Sequence, residues 1–255
     1  MNPVPTTARL LDGRTALVTG ASSGLGRHFM GVLAAHGARV VGAARRTDAL
    51  DAAVDALRAH GGDATAVQLD VRDAASVEAA LRACGPVDIV INNAGIAQTL
   101  RATEVADDDW QSVIDTNLSG AFRVAAAAAR GMVAAARPGV IVNIASVLGF
   151  RVAKQLPAYV AAKAGLVRLT EALALEWAAH RIRVNALAPG YIETEINRDF
   201  LHSEAGAAIA RRIPQRRFGQ PSDLDGALLL LAGPAGEYIT GTTLTVDGGH
   251  TLAWL

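Results

Sequence analysis

Short apolar runs of strand length alternate with alanine-rich amphipathic segments along nearly the whole chain. This alternation is typical of βαβ units, in which parallel strands form a sheet and the intervening helices cover it. The predicted strands are Thr15–Thr19, Ala38–Ala43, Thr65–Leu69, Ile89–Asn92, Val140–Ala145, Arg183–Leu187 and Thr243–Val246. We therefore expect an α/β fold with a seven-stranded, doubly wound parallel sheet and helices on both faces.

Length and charge limit what such a chain can be. With 255 residues and 51% hydrophobic content it can bury a large core, and no linker or repeat divides it, so we expect residues 1–255 to form a single domain. Lys+Arg and Asp+Glu both number 24, so no global field favours nucleic acid or an acidic membrane. The six histidines show no metal-ligand spacing, and we expect no metal.

The sequence also bears on location. Residues 1–13 contain no apolar core of signal-peptide length, and no later run of about 18 residues lacks charge or glycine. The single cysteine, Cys84, cannot form an intrachain disulfide and fits a reducing compartment. We expect a cytoplasmic protein with no membrane span, in which Cys84 has a structural role at a helix end.

A glycine-rich loop joins the first predicted strand to a helix. It reads Thr19-Gly20-Ala21-Ser22-Ser23-Gly24-Leu25-Gly26. Glycines let the backbone turn sharply and approach a pyrophosphate, whose charge is favoured at a helix N-terminus. The spacing differs from G-x-G-x-x-G, and such a loop alone can be an ordinary turn. The order strand, loop, helix nevertheless predicts phosphate binding in a Rossmann fold.

The end of the second strand indicates which dinucleotide binds. An unphosphorylated ribose usually meets a carboxylate at this point, whereas a 2′-phosphate calls for a cation. Ala44 replaces the carboxylate, and Arg45 offers a planar guanidinium suited to phosphate. Arg45 and Arg46 could also simply point into solvent. We expect NADP(H) to be preferred, with NAD(H) as the alternative cofactor.

Polar residues follow two more strands. Asp70-Val71 ends the third, where the carboxylate could accept a hydrogen bond from adenine or cap a helix. The turn Asn92-Asn93-Ala94-Gly95 could lie against the cofactor or be an ordinary loop. A long helix is predicted over residues 107–136, and Asn117 inside it is a poor interior helix residue. A local bend stabilised by its amide is one explanation.

Three groups that could handle one proton follow the fifth strand. Ser146 stands at its carboxyl end, and Tyr159 and Lys163 lie one turn apart on a predicted helix. An ammonium about 4 Å from a phenol favours the phenolate by roughly 4 kcal/mol, whereas burial raises the phenol's pKa. We expect Lys163 alone to be insufficient and a positive nicotinamide ring to supply the remainder. A surface Tyr and Lys would show the same spacing.

Together these motifs resemble the short-chain dehydrogenase/reductase family over nearly the whole chain. The resemblance rests on Thr19-Gly20-x-x-x-Gly24-x-Gly26, Asp70-Val71, Asn92-Asn93-Ala94-Gly95, Asn117, Ser146, Tyr159-x-x-x-Lys163 and Pro189-Gly190-x-Ile192-x-Thr194. It implies a catalytic tetrad of Asn117, Ser146, Tyr159 and Lys163. It implies a cofactor site formed by Gly20, Ser22, Ser23, Gly24, Leu25, Gly26, Arg45, Asp70, Val71, Asn93, Ala94, Gly95, Tyr159, Lys163, Pro189, Gly190, Ile192 and Thr194.

The resemblance also implies a reaction. Ser146 and Tyr159 would hydrogen-bond the carbonyl oxygen of a ketone, hydride would come from nicotinamide C4, and Tyr159 would act as general acid or, in alcohol oxidation, as base. Lys163 would lower the phenol's pKa and bind the nicotinamide ribose, and Asn117 would hold a water. The enzyme implied is an NAD(P)-dependent carbonyl reductase. A non-catalytic cofactor-binding protein would be expected to lack part of the tetrad, and a sugar-nucleotide epimerase to have a larger C-terminal region.

Residues 191–217, called here the lid segment, are a candidate lid over the substrate because the connection is longer than usual. A short helix is predicted from Ser203-Glu204 to Arg212. The candidate pocket residues are mostly apolar and favour a ketone with hydrophobic substituents, although several could belong to the core. They are Gln98, Val147, Leu148, Leu156, Tyr191, Phe200 and Leu201.

Within the family, the chain most resembles 3-oxoacyl carrier-protein reductases and the related carbonyl reductases and sugar dehydrogenases. Carrier-protein reductases bind the acidic carrier through arginines beside the mouth of the active site. Arg130 lies in a matching region, and the second position, near His180-Arg181, matches imperfectly. An acyl carrier protein is therefore one candidate partner, besides a small ketone or alcohol.

The resemblance further implies a homotetramer, a dimer of dimers. Family members pair through two long helices, here residues 107–136 and 157–180, and tetramers also use the last strand. The alanine-rich stretches Ala125–Ala129 and Ala172–Ala179 would permit close packing of these helices. The apolar tail Ala253-Trp254-Leu255 would dock on a neighbour.

Overall fold

The computed structural model describes residues 9–253, and the strands of this range form one parallel sheet. They are β1 (Thr15–Thr19), β2 (Arg39–Ala44), β3 (Ala64–Gln68), β4 (Ile89–Asn92), β5 (Gly139–Ile144), β6 (Ile182–Pro189) and β7 (Thr243–Val246). Their order is β3-β2-β1-β4-β5-β6-β7. The winding reverses between β1 and β4, which makes this the doubly wound Rossmann topology that the sequence predicts.

The helices within residues 9–253 connect these strands. They are α1 (Gly24–Ala35), α2 (Thr47–Ala59), α3 (Ala74–Cys84), α4 (Asp107–Ile114), α5 (Gly120–Ala134), α6 (Pro157–Trp177), α7 (Arg198–Leu201), α8 (Glu204–Ala210) and α9 (Asp225–Ala232). Each strand from β1 to β6 is followed by a connection that returns to the start of another parallel strand, so the helices must cover the sheet faces.

The core has two layers, one on each face of the sheet. Side chains alternate along a strand, so Ala16 and Val18 of β1 face α1, α2 and α9, whereas Leu17 faces α3, α5 and α6. All three are fully buried. The central strands are therefore apolar on both faces, which is why they appear in the sequence as unbroken runs of Val, Ile and Leu.

The predicted strands are all present, with ends within two residues of those expected. The largest difference is β6, which extends beyond the predicted Arg183–Leu187 because Ala188 and Pro189 pair with β7. β2 also takes in Ala44, which pairs with β3. These extensions bring the polar residues that follow both strands to the same edge of the sheet.

The long helix predicted over residues 107–136 is interrupted at Asn117, which lies in a π-helical turn, Asp115–Ser119, between α4 and α5. The Asn117 amide Nδ2 donates to Val113 O at 2.9 Å and to Ile96 O at 2.8 Å. The amide thus competes with the backbone for a helical carbonyl, and the backbone hydrogen bonds of the helix widen from the α to the π pattern at this point. The expected bend is present, and it fixes the loop after β4.

The stretch Ala125–Ala129 fills the core of the subunit itself. Four of its five alanines are buried against β4, β5 and α3, so they are not available for a contact between subunits as the sequence suggested. The exposed apolar side chains of α4, α5 and α6 are instead Trp110, Phe122, Val133 and Leu175. Part of the predicted apolar tail, Trp254 and Leu255, lies outside the described residues.

Cys84 is the last residue of α3 and is buried in the core. Burial raises the pKa of its thiol to about 11, which makes the thiolate rare at neutral pH and supports a structural role. No helix in residues 9–253 is both long and apolar enough to cross a bilayer. In the same range, His, Cys, Asp and Glu side chains form no cluster suited to a metal ion.

Candidate active site

The carboxyl ends of the parallel strands open into a cleft of ≈ 980 Å³. In a doubly wound sheet, ligands bind at this edge, where the strand order reverses. The predicted residues that line the cleft are Gly20, Ser22, Ser23, Gly24, Leu25, Arg45, Asp70, Val71, Asn93, Ala94, Gly95, Asn117, Ser146, Val147, Leu148, Leu156, Tyr159, Lys163, Pro189, Gly190, Tyr191, Ile192 and Thr194. The sequence thus predicted most of the lining.

The glycine loop between β1 and α1 packs tightly against the turn after β4. Gly20 has a φ of 66°, and a Cβ there would lie 2.9 Å from Ala94 Cα. The Asn93 amide Nδ2 donates to Thr19 O at 2.9 Å, and the Asn93 N–H donates to Thr19 Oγ1 at 3.0 Å. The turn at Asn93 is therefore part of the cleft wall.

Gly26 does not line the cleft. A side chain at this position would collide with Gly20 O and with the Asn93 amide, so glycine is required for packing within the loop. Gly26 thus contributes to the site only by allowing the loop to close.

The N-terminus of α1 faces the cleft and holds an anion. Ser23 is the N-cap residue but makes no capping hydrogen bond. The Gly24 N–H donates instead to the Glu195 carboxylate at 2.9 Å, and Arg27 Nη2 lies 3.4 Å from the same oxygen. A negatively charged oxygen is therefore stable here, as the pyrophosphate of a dinucleotide would need.

The loop after β2 carries two exposed arginines that line the cleft. Arg46 Nη2 donates to Ser22 Oγ at 3.2 Å and to Ser23 Oγ at 3.1 Å. Arg45 lies near enough to Asp70 to help lower the pKa of that carboxyl. The sequence assigned only Arg45 to the site, but both guanidinium groups border the end of the cleft beside β2.

Asp70 lines the cleft after β3, but its carboxylate is already bound. Arg72 Nη2 donates to it at 2.7 Å, and this hydrogen bond holds the pKa of Asp70 below its usual value. The helix-cap alternative is wrong for Asp70, because the side chain that caps α3 is Asp73, which accepts the Ala75 N–H at 2.9 Å. Asp70 can still meet an adenine through an oxygen lone pair.

Ser146, Tyr159 and Lys163 meet at the base of the cleft. Ser146 follows β5, and its Oγ accepts the Leu148 N–H at 3.1 Å, which leaves the hydroxyl proton free to be donated. Lys163 lies 5.5 Å from the centre of the Tyr159 ring. Its ammonium donates to Ile144 O, the last residue of β5, at 2.7 Å. The helical spacing and the end of β5 together bring these side chains to one point.

Burial dominates the electrostatics of this group. It raises the pKa of Tyr159, and the hydrogen bond with Ser146 offsets only part of that rise. It also lowers the pKa of Lys163 to about 8. Desolvation disfavours both charged forms. Lys163 therefore does not make the phenol acidic in this structure.

Asn117 contributes an acceptor beside Lys163. Its Oδ1 is buried and accepts no hydrogen bond from the described residues. A Cβ on Gly95 would lie 2.6 Å from this oxygen and 3.7 Å from Lys163 Nζ. Buried acceptors are rarely left without a donor, so this oxygen marks a point where the site takes a polar group from outside the chain.

The part of the cleft beyond Ser146 and Tyr159 is lined by apolar side chains. Of the predicted pocket residues, Val147, Leu148, Leu156 and Tyr191 lie there. Two apolar residues that the sequence did not single out, Ile96 and Ala97, also line the cleft. A third, Ile196, lies over Gly24 at the glycine loop.

Three other predicted pocket residues lie elsewhere. The Gln98 amide donates to Asp109 at 3.0 Å, outside the cleft lining. Phe200 is 49% exposed on α7, whereas Leu201 is buried beneath it. α7 is a single turn and too short to show a periodic pattern, so the sequence did not indicate which of its apolar side chains is exposed and which is buried.

The lid segment consists of α7, α8 and their connections. Glu193 accepts hydrogen bonds from Arg198 at 3.2 Å and from His202 at 3.3 Å, which hold α7 against the end of β6. Asn197 Oδ1 accepts the Thr194 N–H at 2.8 Å. The sequence predicted α8, but not α7, which is only one turn long.

The arginines considered for a carrier protein lie away from the mouth of the cleft. Arg130 is near the end of α5 and forms an ion pair with Glu78. Arg181 precedes β6 and donates to Ala136 O at 3.1 Å. Both are near the amino edge of the sheet, opposite the cleft.

Comparison with known proteins agrees with the fold. A family model described as short chain dehydrogenase matches residues 14–205. The 3-oxoacyl-[acyl-carrier-protein] reductase of Vibrio harveyi is 39% identical over 94% of this chain and 98% of its own length. The galactitol 2-dehydrogenase (L-tagatose-forming) of Cereibacter sphaeroides is 41% identical over 95% and 96%.

A solved structure shows the same similarity. The crystal structure of a putative 2-deoxy-D-gluconate 3-dehydrogenase from Agrobacterium tumefaciens with bound NADP is 42% identical, with a TM-score of 0.90 over 97% of this chain and all of that one. The matches extend over the sheet, the cleft and the residues that line it. The chain therefore belongs to the short-chain dehydrogenase family of oxidoreductases.

Proposed function

We propose that this protein is an NADP(H)-dependent oxidoreductase that interconverts a ketone and a secondary alcohol. The observation that carries the proposal is the convergence of Ser146, Tyr159 and a buried Lys163 at the base of a dinucleotide-sized cleft. A hydroxyl that is free to donate, beside a phenol and an ammonium, suits the protonation of a carbonyl oxygen.

The cofactor would extend along the cleft from β2 to β6. Arg45 and Arg46 would bind the 2′-phosphate, and the N-terminus of α1 would bind the pyrophosphate. Ile192 and Thr194, after β6, would hold the carboxamide. When bound, the nicotinamide supplies or accepts a hydride at C4. The NADP bound by the Agrobacterium protein supports the choice of cofactor.

The proton would travel through this chain's own residues. Ser146 and Tyr159 would donate hydrogen bonds to the carbonyl oxygen, and Tyr159 would then release its proton to it. In alcohol oxidation Tyr159 would accept the proton. Lys163, fixed by Ile144 O, would stabilise the phenolate, and the Asn117 acceptor would hold a water that links Lys163 to solvent.

The lining of the cleft favours a ketone with hydrophobic substituents. The exposed cations Arg45 and Arg46 follow β2, three strands from β5, and are thus roughly 15 Å from Ser146. No other cation besides the buried Lys163 is part of the described lining, so a sugar acid would lack a partner for its carboxylate.

Three alternatives remain for the test. The Vibrio relative suggests a 3-oxoacyl thioester, although Arg130 and Arg181 lie away from the mouth of the cleft of their own subunit. The Cereibacter relative suggests a polyol. A non-catalytic cofactor-binding protein is disfavoured because all four tetrad side chains are present.

A substrate panel distinguishes these functions. The purified protein is assayed for NADPH oxidation with aliphatic and aryl ketones and with a 3-oxoacyl thioester, and for NADP⁺ reduction with galactitol and gluconate. We expect the highest kcat/KM with an apolar ketone. A preference for the thioester or a polyol would reassign the substrate. No turnover with any compound, despite NADPH binding, would favour the non-catalytic alternative.

We also propose a homotetramer and a location in the cytoplasm. Trp110, Phe122 and Leu175 expose 40%, 45% and 84% of their surface on α4, α5 and α6, the helices expected to pair. Large apolar side chains left exposed on these helices are compatible with a contact between subunits. The buried reduced thiol of Cys84 fits a reducing compartment.

A further inference from the structure

One carboxylate of the lid segment reaches across the cleft to the glycine loop. Glu195 Oε1 accepts the Gly24 N–H at 2.9 Å, although the two residues are 171 positions apart. The neighbouring side chain, Ile196, lies over the same glycine, with its Cδ1 3.3 Å from where a Cβ on Gly24 would be. The lid segment thus rests directly on the N-terminus of α1.

This carboxylate takes the interactions that a pyrophosphate needs. Gly24 is the first residue of α1, and because Ser23 provides no side-chain cap, its N–H has no other partner in the described residues. Arg27 lies 3.4 Å from the same oxygen. The Gly24 hydrogen bond is the largest cause of a lowered pKa at Glu195, so the group is a carboxylate at neutral pH.

Two anions cannot share this position. A single N–H donates one strong hydrogen bond, and a phosphate oxygen within a few ångströms of a carboxylate is repelled. We propose that Glu195 is an internal competitor of the cofactor, which holds the lid segment on α1 in the cofactor-free protein and must leave when the pyrophosphate binds. The inference rests on the proposed function, since it requires that the cleft takes a dinucleotide.

The other contacts of the lid segment allow such a movement. Glu193 holds α7 through Arg198 and His202, and Asn197 closes the turn at Thr194, so the segment keeps its internal bonds when Glu195 leaves. The Glu195 side chain itself is 46% exposed, so it can turn into solvent. The same short stretch would first cover the cleft and then present Thr194 to the cofactor.

The test compares Glu195→Gln with Asp199→Asn. The first variant keeps the shape of the side chain and removes its charge, and the second removes an exposed carboxylate from α7 of the same lid segment. Binding of NADPH is measured by fluorescence titration. We expect Glu195→Gln to lower the Kd for NADPH about three- to tenfold, in keeping with the strength of a charge at a helix N-terminus. Asp199→Asn should stay within about twofold of the wild type.

Two further measurements locate the effect. Adenosine 2′-monophosphate, which has no pyrophosphate, should bind equally well to all three proteins. Hydrogen exchange of peptides from the lid segment, measured without cofactor, should be faster in Glu195→Gln than in Asp199→Asn, because the tie to α1 is weaker.

Other outcomes would overturn the inference. NADPH binding by Glu195→Gln that is unchanged or weaker would mean that the carboxylate does not compete. Equal tightening for adenosine 2′-monophosphate would indicate a general charge effect. If NADPH binds no more tightly than adenosine 2′-monophosphate to all three proteins, the cleft does not bind the rest of the dinucleotide, and the proposed function fails as well.

Discussion

The Lys163 ammonium donates to the backbone oxygen of Ile144 at 2.7 Å, which ties α6 to the end of β5. This bond holds a charge in the interior, since the Lys163 side chain is only 4% exposed. The helix itself fixes the distance between Lys163 and Tyr159, because both residues lie on the first two turns of α6. The chemistry of the site and the stability of the fold are therefore connected through one lysine.

Replacing Lys163 by Met should stabilise the protein and abolish turnover. Burial lowers the pKa of Lys163 from 10.5 to about 8, so below pH 8 the folded state bears a charge that it disfavours. The shift corresponds to at most about 3 kcal/mol in the free energy of unfolding at pH 7. Denaturant unfolding of the variant should show a gain of up to that size, reduced by the lost bond to Ile144.

The pH dependence of the stability difference between the Met variant and the wild type tests whether the buried charge of Lys163 is its cause. Between about pH 8 and 10.5 the unfolded chain keeps a proton on Lys163 that the folded protein has lost, so the stability of the wild type due to this group rises with pH. The difference between the Met variant and the wild type should therefore shrink across this window. A constant difference would show that Lys163 does not titrate as expected.

Tyr159→Phe should lower kcat at least about a hundredfold, the usual contribution of a general acid. The ring stays, so NADPH binding and the melting temperature should change little. Steady-state kinetics and a thermal melt on the same preparation separate the two effects. Near-normal turnover in the variant would contradict the proposed role of the phenol.

Arg46→Ala should weaken NADPH more than NADH. Its guanidinium already bridges Ser22 and Ser23, and a charge-assisted bond to the 2′-phosphate would be lost. We expect kcat/KM with NADPH to fall about tenfold or more, with NADH nearly unaffected. Arg45→Ala tests the neighbour, and Arg82→Ala on α3 is the control. Equal losses with both cofactors would argue against a 2′-phosphate site.

The thiol of Cys84 should not react with alkylating reagents in the folded protein. With a pKa of about 11, roughly one molecule in a thousand carries a thiolate at pH 8, and the side chain is buried. Mass spectrometry after iodoacetamide treatment should show an unmodified protein, and full modification once urea is added. Rapid modification without urea would mean that the end of α3 opens readily.

Phe122→Asp should reduce the assembly to smaller species. The side chain is 45% exposed on α5, where a charge would be costly at an apolar contact between subunits. Light scattering should give a tetramer mass for the wild type and a smaller mass for the variant. Arg130→Asp on the same helix serves as a control for charge. A monomer mass for the wild type would refute the proposed tetramer.

The sheet and the positions of Ser146, Tyr159 and Lys163 could be predicted because both follow from short-range patterns. Buried parallel strands are continuous apolar runs, and a spacing of four residues puts Tyr159 and Lys163 on one helix face. The position of Ser146 could be predicted because this residue follows the end of a strand. These features depend on periodicity, which the sequence displays directly.

What could not be predicted depends on contacts between distant residues. The hydrogen bond between Glu195 and Gly24 joins residues 171 positions apart, so no local sequence pattern indicates it. The orientation of Arg46 toward the glycine loop depends on how the loop after β2 turns. Likewise, Ala125–Ala129 face the sheet rather than a neighbouring subunit, and small residues fit both environments.

Ser146, Tyr159 and Lys163 are fixed to the end of β5 and to α6, whereas the apolar wall beyond them comes from the loop after β5 and from the lid segment. Exchanging Leu148 or Leu156 should therefore retarget the enzyme to bulkier or more polar compounds while Ser146, Tyr159 and Lys163 keep their positions.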